Sequence, residues 1–275
     1  MKKMLLFGLC FIFVFCIFGC GNGYTTVENM DCTITIRDWD ETGLKPTEEY
    51  EVTGTYTGDI VNGVPNGYGR FDFESETPLY YEGEFVDGTF QGQGTMDSDL
   101  EESKEEDKMI ESKGTYTKGL YTPTLSEFYC LFPKSYLNNY SLNGVSVDFI
   151  GSHETLFPCK SEEDINNSIS LTNDSITYNQ LSKNMSPYLD KLFTVNKLTV
   201  AQIFEDNSVG YTCTTILGYD NSGKYYYIFY NGSIDLYEGD KFNVRALPLA
   251  YSDFDNVSNG QTLVVVALAS IIDKL

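Results

Sequence analysis

The chain has 275 residues, 41% of them apolar and 15% aromatic, with 40 Asp and Glu against 18 Lys and Arg and a formal charge of −22. That length holds one large domain or two small ones. So large an acid surplus excludes nucleic acid as a partner, because phosphate contacts need clustered Lys and Arg, and it argues equally against a flat docking face for anionic lipid.

The N-terminus starts basic, at Lys2 and Lys3, and then runs free of charge from Met4 to Gly19. The run is shorter than the about twenty residues a bilayer span needs. It has the length and flank of a secretory signal. It closes on Ile17-Phe18-Gly19-Cys20, which resembles the lipobox of bacterial lipoproteins, with Phe18 where a small residue is usual. The resemblance implies a signal peptide over 1–19 and a diacylglycerol thioether on Cys20. It also implies an extracytoplasmic protein held at the cell membrane by a tether over 20–30.

Of the seven cysteines, Cys10 and Cys16 leave with such a signal and Cys20 carries lipid. Cys32, Cys130, Cys159 and Cys213 remain, an even set in a disulfide-permissive compartment. They allow three pairings, among which the sequence does not choose; four free thiols are the other reading. The stretch "DWDETGLKPTEE" then places Asp38, Asp40, Thr42 and Gly43 at positions one, three, five and six of an EF-hand-type loop, with Glu49 at twelve. Calcium takes six to eight oxygens and such a loop wraps them, so calcium is the one cofactor the sequence suggests. Lys45 and Pro46 at positions eight and nine fit a plain acidic turn instead.

A glycine-spaced phrase follows, twice: "YTGDIVNGVPNGYGRF" over 56–71 and "YEGEFVDGTFQGQGTM" over 81–96. Asn62-Gly63 and Asp87-Gly88 are hairpin-turn dipeptides, since a type I′ turn needs positive φ at both central residues. The flanks are rich in strand-forming residues, so each phrase reads as one β-hairpin. "CTITIR" (32–37) and "EYEVTG" (49–54) open the same sheet, and "GTYTKGLYT" (114–122) is a third, clipped copy. The Tyr-x-Gly start, Gly-ended turn and Gly-x-Gly close resemble the MORN repeat. The resemblance implies a sheet of stacked antiparallel hairpins over 31–124 that contacts membranes or partner proteins rather than performing chemistry. Within it, 97–112 ("DSDLEESKEEDKMIES") reads as a solvated acidic insertion.

Residues 125–174 read as a connecting segment, with 161–171 a polar loop or short helix. From 175 the chain reads as a short helix and then five strands, from Leu192 and over 210–217, 224–230, 240–251 and 261–271, a count and spacing that suit a small closed barrel. With Tyr188-Leu189-Asp190-Lys191 and Glu238-Gly239-Asp240-Lys241, this part resembles an OB-fold-like domain of secreted and lipid-anchored Gram-positive proteins, although Asp190 stands where the family's turn has glycine. The fold class expected is mainly β, a MORN-like hairpin sheet followed by a small OB-like barrel with a short helix over 175–275.

On the third barrel strand, Tyr225, Tyr227 and Phe229 share one face and Tyr226, Ile228 and Tyr230 the other. One face must fill the core. The other is either covered, or an aromatic platform for a sugar or peptide. Neither the single His153 nor the Gly218–Lys224 GxxxxGK match, which lacks the following Ser/Thr and helix, points to catalysis. The sequence therefore reads as a lipid-anchored envelope protein with a non-catalytic binding or scaffolding role, its partner an envelope protein or glycan. The alternative is an envelope enzyme, or an oligosaccharide- or peptide-binding protein, with its site in the barrel cleft.

Overall fold

The computed structural model describes residues 25–40, 45–76, 78–98, 112–208, 210–255 and 260–275. The stretch expected to be a signal peptide (1–19), Cys20, Thr42, Gly43 and most of the acidic insertion lie outside the described residues. The chain divides into two compact units, the first ending at Thr122 and the second running from Pro123 to Leu275.

The first unit is a seven-stranded antiparallel sheet in sequence order: β1 (Thr25–Ile36), β2 (Tyr50–Val61), β3 (Val64–Phe73), β4 (Leu79–Val86), β5 (Thr89–Ser98), β6 (Ser112–Thr117) and β7 (Leu120–Thr122). The three expected turns are present, with φ of 52° and 83° at Asn62-Gly63, 48° and 77° at Asp87-Gly88, and 50° and 78° at Lys118-Gly119. Positive φ at both central residues matches the right-handed twist of the strands they join. The clipped third copy is the β6–β7 hairpin.

Alternation then sets the faces. Tyr81, Gly83 and Phe85 of β4 point inward, while Glu82, Glu84 and Val86 are exposed. The inward set of the sheet is a ring cluster of Tyr56, Phe71, Tyr81, Phe85, Phe90 and Tyr116, joined by Ile34 and Ile36 of β1. The sheet rolls over this cluster. Although β1 pairs with β2, the Thr89 hydroxyl donates to the Thr35 carbonyl at 2.6 Å and the Arg37 N–H to the Gly119 carbonyl at 3.4 Å.

The repeated glycines form one row across the sheet: Gly58 faces Gly69, Gly69 faces Gly83, Gly83 faces Gly94 and Gly94 faces Gly114. A tyrosine ring lies over this row in each repeat. A Cβ added at Gly69 would come under 3.0 Å from the Tyr56 ring, and one at Gly94 equally close to the Tyr81 ring. The Tyr56 hydroxyl donates to the Asp59 carbonyl at 2.8 Å and the Tyr81 hydroxyl to the Glu84 carbonyl at 3.1 Å. The spacing of tyrosine and glycine in the phrase is thus a packing rule: the ring needs the bare backbone of the next strand beneath it.

The second unit contains a closed five-stranded barrel of β8 (Phe193–Ser208), β9 (Tyr211–Tyr219), β10 (Tyr225–Asn231), β11 (Lys241–Asp255) and β12 (Gln261–Lys274), in the order β10-β12-β11-β8-β9. All neighbours are antiparallel except β10 and β12, which are parallel. Ile216, Tyr226, Ile228, Val244, Val265, Ala267 and Ala269 are part of the inner core. Val264, Val266 and Leu268, on the opposite face of β12, are fully buried too. A strand covered on both faces loses its alternation and reads as a continuous apolar run, which is the "VVVALA" of β12.

The covering layer comes in part from residues 125–174, which are not a bare connection. They hold α1 (Leu125–Leu131), α2 (Gly144–Ser152) and α3 (Glu162–Ser170); α4 (Tyr178–Lys183) follows before the barrel. Capping boxes open three of the four: Thr124 with Glu127, Ser161 with Asp164, and Thr177 with Gln180. Each satisfies otherwise orphaned backbone donors at a helix start.

All four described cysteines are free thiols, so none of the candidate disulfides is formed. Cys213 is fully buried on β9, its sulfur 3.7 Å from the Tyr129 hydroxyl. Burial pushes its thiol up from 9.0 to about 12. A raised folded-state value means the native state keeps a proton that the unfolded state loses. The stabilising contribution is therefore complete below about pH 9 and is lost as pH rises towards about 12. Urea midpoints measured from pH 8 to 11 are expected to fall above pH 9, and Cys213→Ala is expected to lessen the fall between pH 9 and 10, the buried tyrosines, Tyr129 and Tyr140 among them, carrying the decline above that. A wild-type midpoint level across the range would refute the linkage.

Candidate binding cleft

The end of β1 leads into a segment that lies against the inner face of the hairpin sheet. Arg37 is fixed by its backbone bond to Gly119. The Trp39 indole N–H donates to the Tyr121 carbonyl at 3.0 Å. The segment is closed on itself by Thr47 N–H donating to the Asp38 carbonyl at 2.8 Å and Asp38 N–H donating to the Thr47 hydroxyl at 3.0 Å. Between this segment and the sheet lies a cleft of about 240 Å³. Its walls are largely apolar: Trp39, Tyr50, Phe73, Met96, Tyr116 and Tyr121 among others.

At its edge the Arg37 guanidinium holds the Glu49 carboxylate at 2.5 Å, while the Arg37 Nε is buried with no acceptor in reach. The Asp38 carboxylate is exposed and also lines the cleft. Burial first, and the Asp38 charge second, push the Tyr50 hydroxyl above its ordinary value. The arrangement can hold an apolar group.

Of the residues suggested for calcium, Asp38 and Glu49 have other partners. Glu49 is engaged by Arg37, and one Asp38 oxygen accepts the Trp39 backbone N–H at 2.7 Å. Asp40 is described and lies in the same segment, whereas Thr42 lies outside the described residues. Among the described residues no three His, Cys, Asp or Glu side chains gather as a metal site.

The aromatics of β10 split between two packed faces. Tyr226 belongs to the barrel core, with Tyr230 packed against it. Phe229 is fully buried, and Tyr227 nearly so. Phe229 lies 5.9 Å from Tyr129 and 5.8 Å from Phe132, both in the α1 region, and Tyr227 lies 5.9 Å from Phe254. Alternation correctly sorted the two faces, but the outer one is covered rather than an open platform. Tyr225, beside Tyr219 at 6.0 Å, and Tyr230 are partly open. His153 stacks on Phe149 at 4.4 Å, and the Gly218–Lys224 stretch is the β9–β10 turn, where Asp220 accepts from the Ser222 and Lys224 backbones.

The cleft residues Arg37, Trp39, Tyr50 and Tyr121 were not singled out by sequence reasoning. One signal was available: the chain's single tryptophan follows directly on the alternating strand "TITIRD", where Ile34 and Ile36 already point inward.

No curated protein and no solved structure matches the chain. The MORN repeat family model matches residues 56–77 and 81–99. Those segments are the β2–β3 and β4–β5 hairpins, so the walls of the cleft are built in part from MORN repeats.

Proposed function

We propose that this is a non-catalytic binding module of the bacterial cell envelope, anchored to the membrane through lipid on Cys20, and that its binding site is the aromatic cleft of the hairpin unit. The cleft carries the proposal: large apolar side chains gathered beside the Trp39 segment, with exposed charge at the edge, are the composition of a recognition pocket. MORN repeats support a binding or scaffolding role in general. We read the barrel as OB-like, on its strand order with the parallel β10–β12 pair. The α1 residues stacked on β9 and β10 speak against the OB sheet face as the ligand site.

Two experiments test this. A photo-crosslinking residue in place of Tyr50, which is 42% exposed at the cleft, is expected to capture an envelope partner. The same residue in place of Tyr68, 58% exposed and outside the cleft lining, is expected not to. Equal capture at both positions removes the cleft from the proposal. For the anchor, Cys20→Ser is expected to leave the protein unprocessed or to release it into the medium. Retention in the membrane fraction, cleaved at the same bond, would sink the lipoprotein reading.

A further inference from the structure

The chemistry of the cleft narrows what can enter it, given the reading of the cleft as the binding site. Its volume, about 240 Å³, lies below the roughly 300–1,000 Å³ of pockets that enclose whole small-molecule ligands. It suits one large side chain. The walls offer ring faces and aliphatic carbons from Val52, Phe73, Leu79, Met96, Tyr116 and Tyr121, which reward an apolar group and leave a sugar's hydroxyls unpaired.

The charge around it is predominantly negative. The described residues from Arg37 to Asp40 and from Lys45 to Glu51 carry Asp38, Asp40, Glu48, Glu49 and Glu51 against the two cations Arg37 and Lys45, and the Arg37 guanidinium is held by Glu49. The whole chain adds a background of −22. An acidic surround repels carboxylates and phosphates and concentrates cations, acting chiefly on encounter rate and partner choice.

We propose that the cleft receives one aromatic or branched aliphatic side chain from a Lys- and Arg-rich segment of a partner protein, the side chain seated among the rings and the cationic flanks lying along the acidic segment. An anionic peptide is disfavoured by Asp38 at the cleft. A cationic peptide with no apolar anchor leaves the apolar walls unfilled.

Trp39 is the only tryptophan and lines the cleft, so the emission of the full chain reports on this one site. The probes are three synthetic peptides: lysines flanking a central Phe-Leu pair, the same pair flanked by glutamates, and lysines alone. The first is expected to shift Trp39 emission to the blue as water is displaced, with binding that weakens as salt rises. The second is expected to bind about tenfold more weakly or worse, and the third to leave the emission unchanged.

Two variants separate the contributions. Val52→Phe, which fills the cleft from β2, is expected to abolish the shift. Asp38→Asn with Glu48→Gln and Glu51→Gln, all at exposed positions, is expected to weaken the first peptide about tenfold and flatten its salt dependence. Melting curves confirm that each variant is folded. Equal binding of the glutamate peptide overturns the proposal. So does an undiminished shift in a folded Val52→Phe variant, or no Trp39 response to any peptide. If the peptides fail while Tyr50 still crosslinks a partner and Tyr68 does not, the cationic segment is wrong and the cleft reading stands; if both fail, both fall.

Discussion

Tyr81→Ala is expected to destabilise the hairpin unit by about 3–5 kcal/mol, the usual cost of deleting a large buried ring. The ring has no exposed surface. It stacks on Phe90 at 3.8 Å and meets Phe85 at 5.2 Å and Tyr116 at 4.9 Å edge-on. Against a total stability of about 5–15 kcal/mol for a domain, that loss leaves the unit marginal. Urea unfolding followed by circular dichroism measures it.

Gly94→Ala is the informative companion. Its new Cβ would press on the Tyr81 ring, which its neighbours hold in place, and overpacking of this kind costs about 1–3 kcal/mol. In the Tyr81→Ala background the ring is gone, so Gly94→Ala is expected to add little. The cycle should then show a coupling of at least about 1 kcal/mol. Strict additivity would mean that the ring does not depend on the bare glycine beneath it, and the account of the repeat would fail. Gly92→Ala is expected to be costly for a different reason: its φ is +71°, in the left-handed region, while the atoms its Cβ would meet belong to the Glu84 carboxylate, which can swing away.

Phe229→Ala is expected to cost the second unit about 3–5 kcal/mol. The ring is fully buried between Tyr129 and Phe132 on one side and Tyr227, 5.4 Å away, on its own strand. The same substitution on an open platform would stay within about 0.5 kcal/mol and change only ligand binding. A loss of stability seen by denaturant unfolding therefore places the ring under the α1 layer, and an unchanged midpoint would reopen the platform. Tyr225→Ala, at the partly open end of the strand, serves as the mild control.

What could be read along the chain was whatever the chain decides locally. Asn62-Gly63 and Asp87-Gly88 announced turns because few residues tolerate positive φ twice in succession. The strands between them followed from alternation, and the five barrel strands were found within a few residues of where they lie. Of the helices in 125–174, α3 was read as a polar loop or short helix, and α1 and α2 were passed over. Thr124 with Glu127 and Ser161 with Asp164 carry the capping pattern in plain sequence, but short helices offer little periodicity to support it.

The tertiary structure alone decided which surfaces are covered and which side chains meet. Alternation on β10 separates two faces but carries no information about what lies on either. Phe229 is covered by residues about a hundred positions earlier in the chain. Cys213 meets the Tyr129 hydroxyl across 84 residues, and that contact buries a thiol that composition had made a disulfide candidate. Trp39 reaches Tyr121 across 82 residues. That bond sets Trp39, inside the stretch whose spacing suggested calcium, at one wall of an apolar cleft. Turn geometry and strand period act between neighbours, and a sequence displays them directly. Cover and convergence depend on how a rolled sheet and a capped barrel bring distant segments together, for which no period exists.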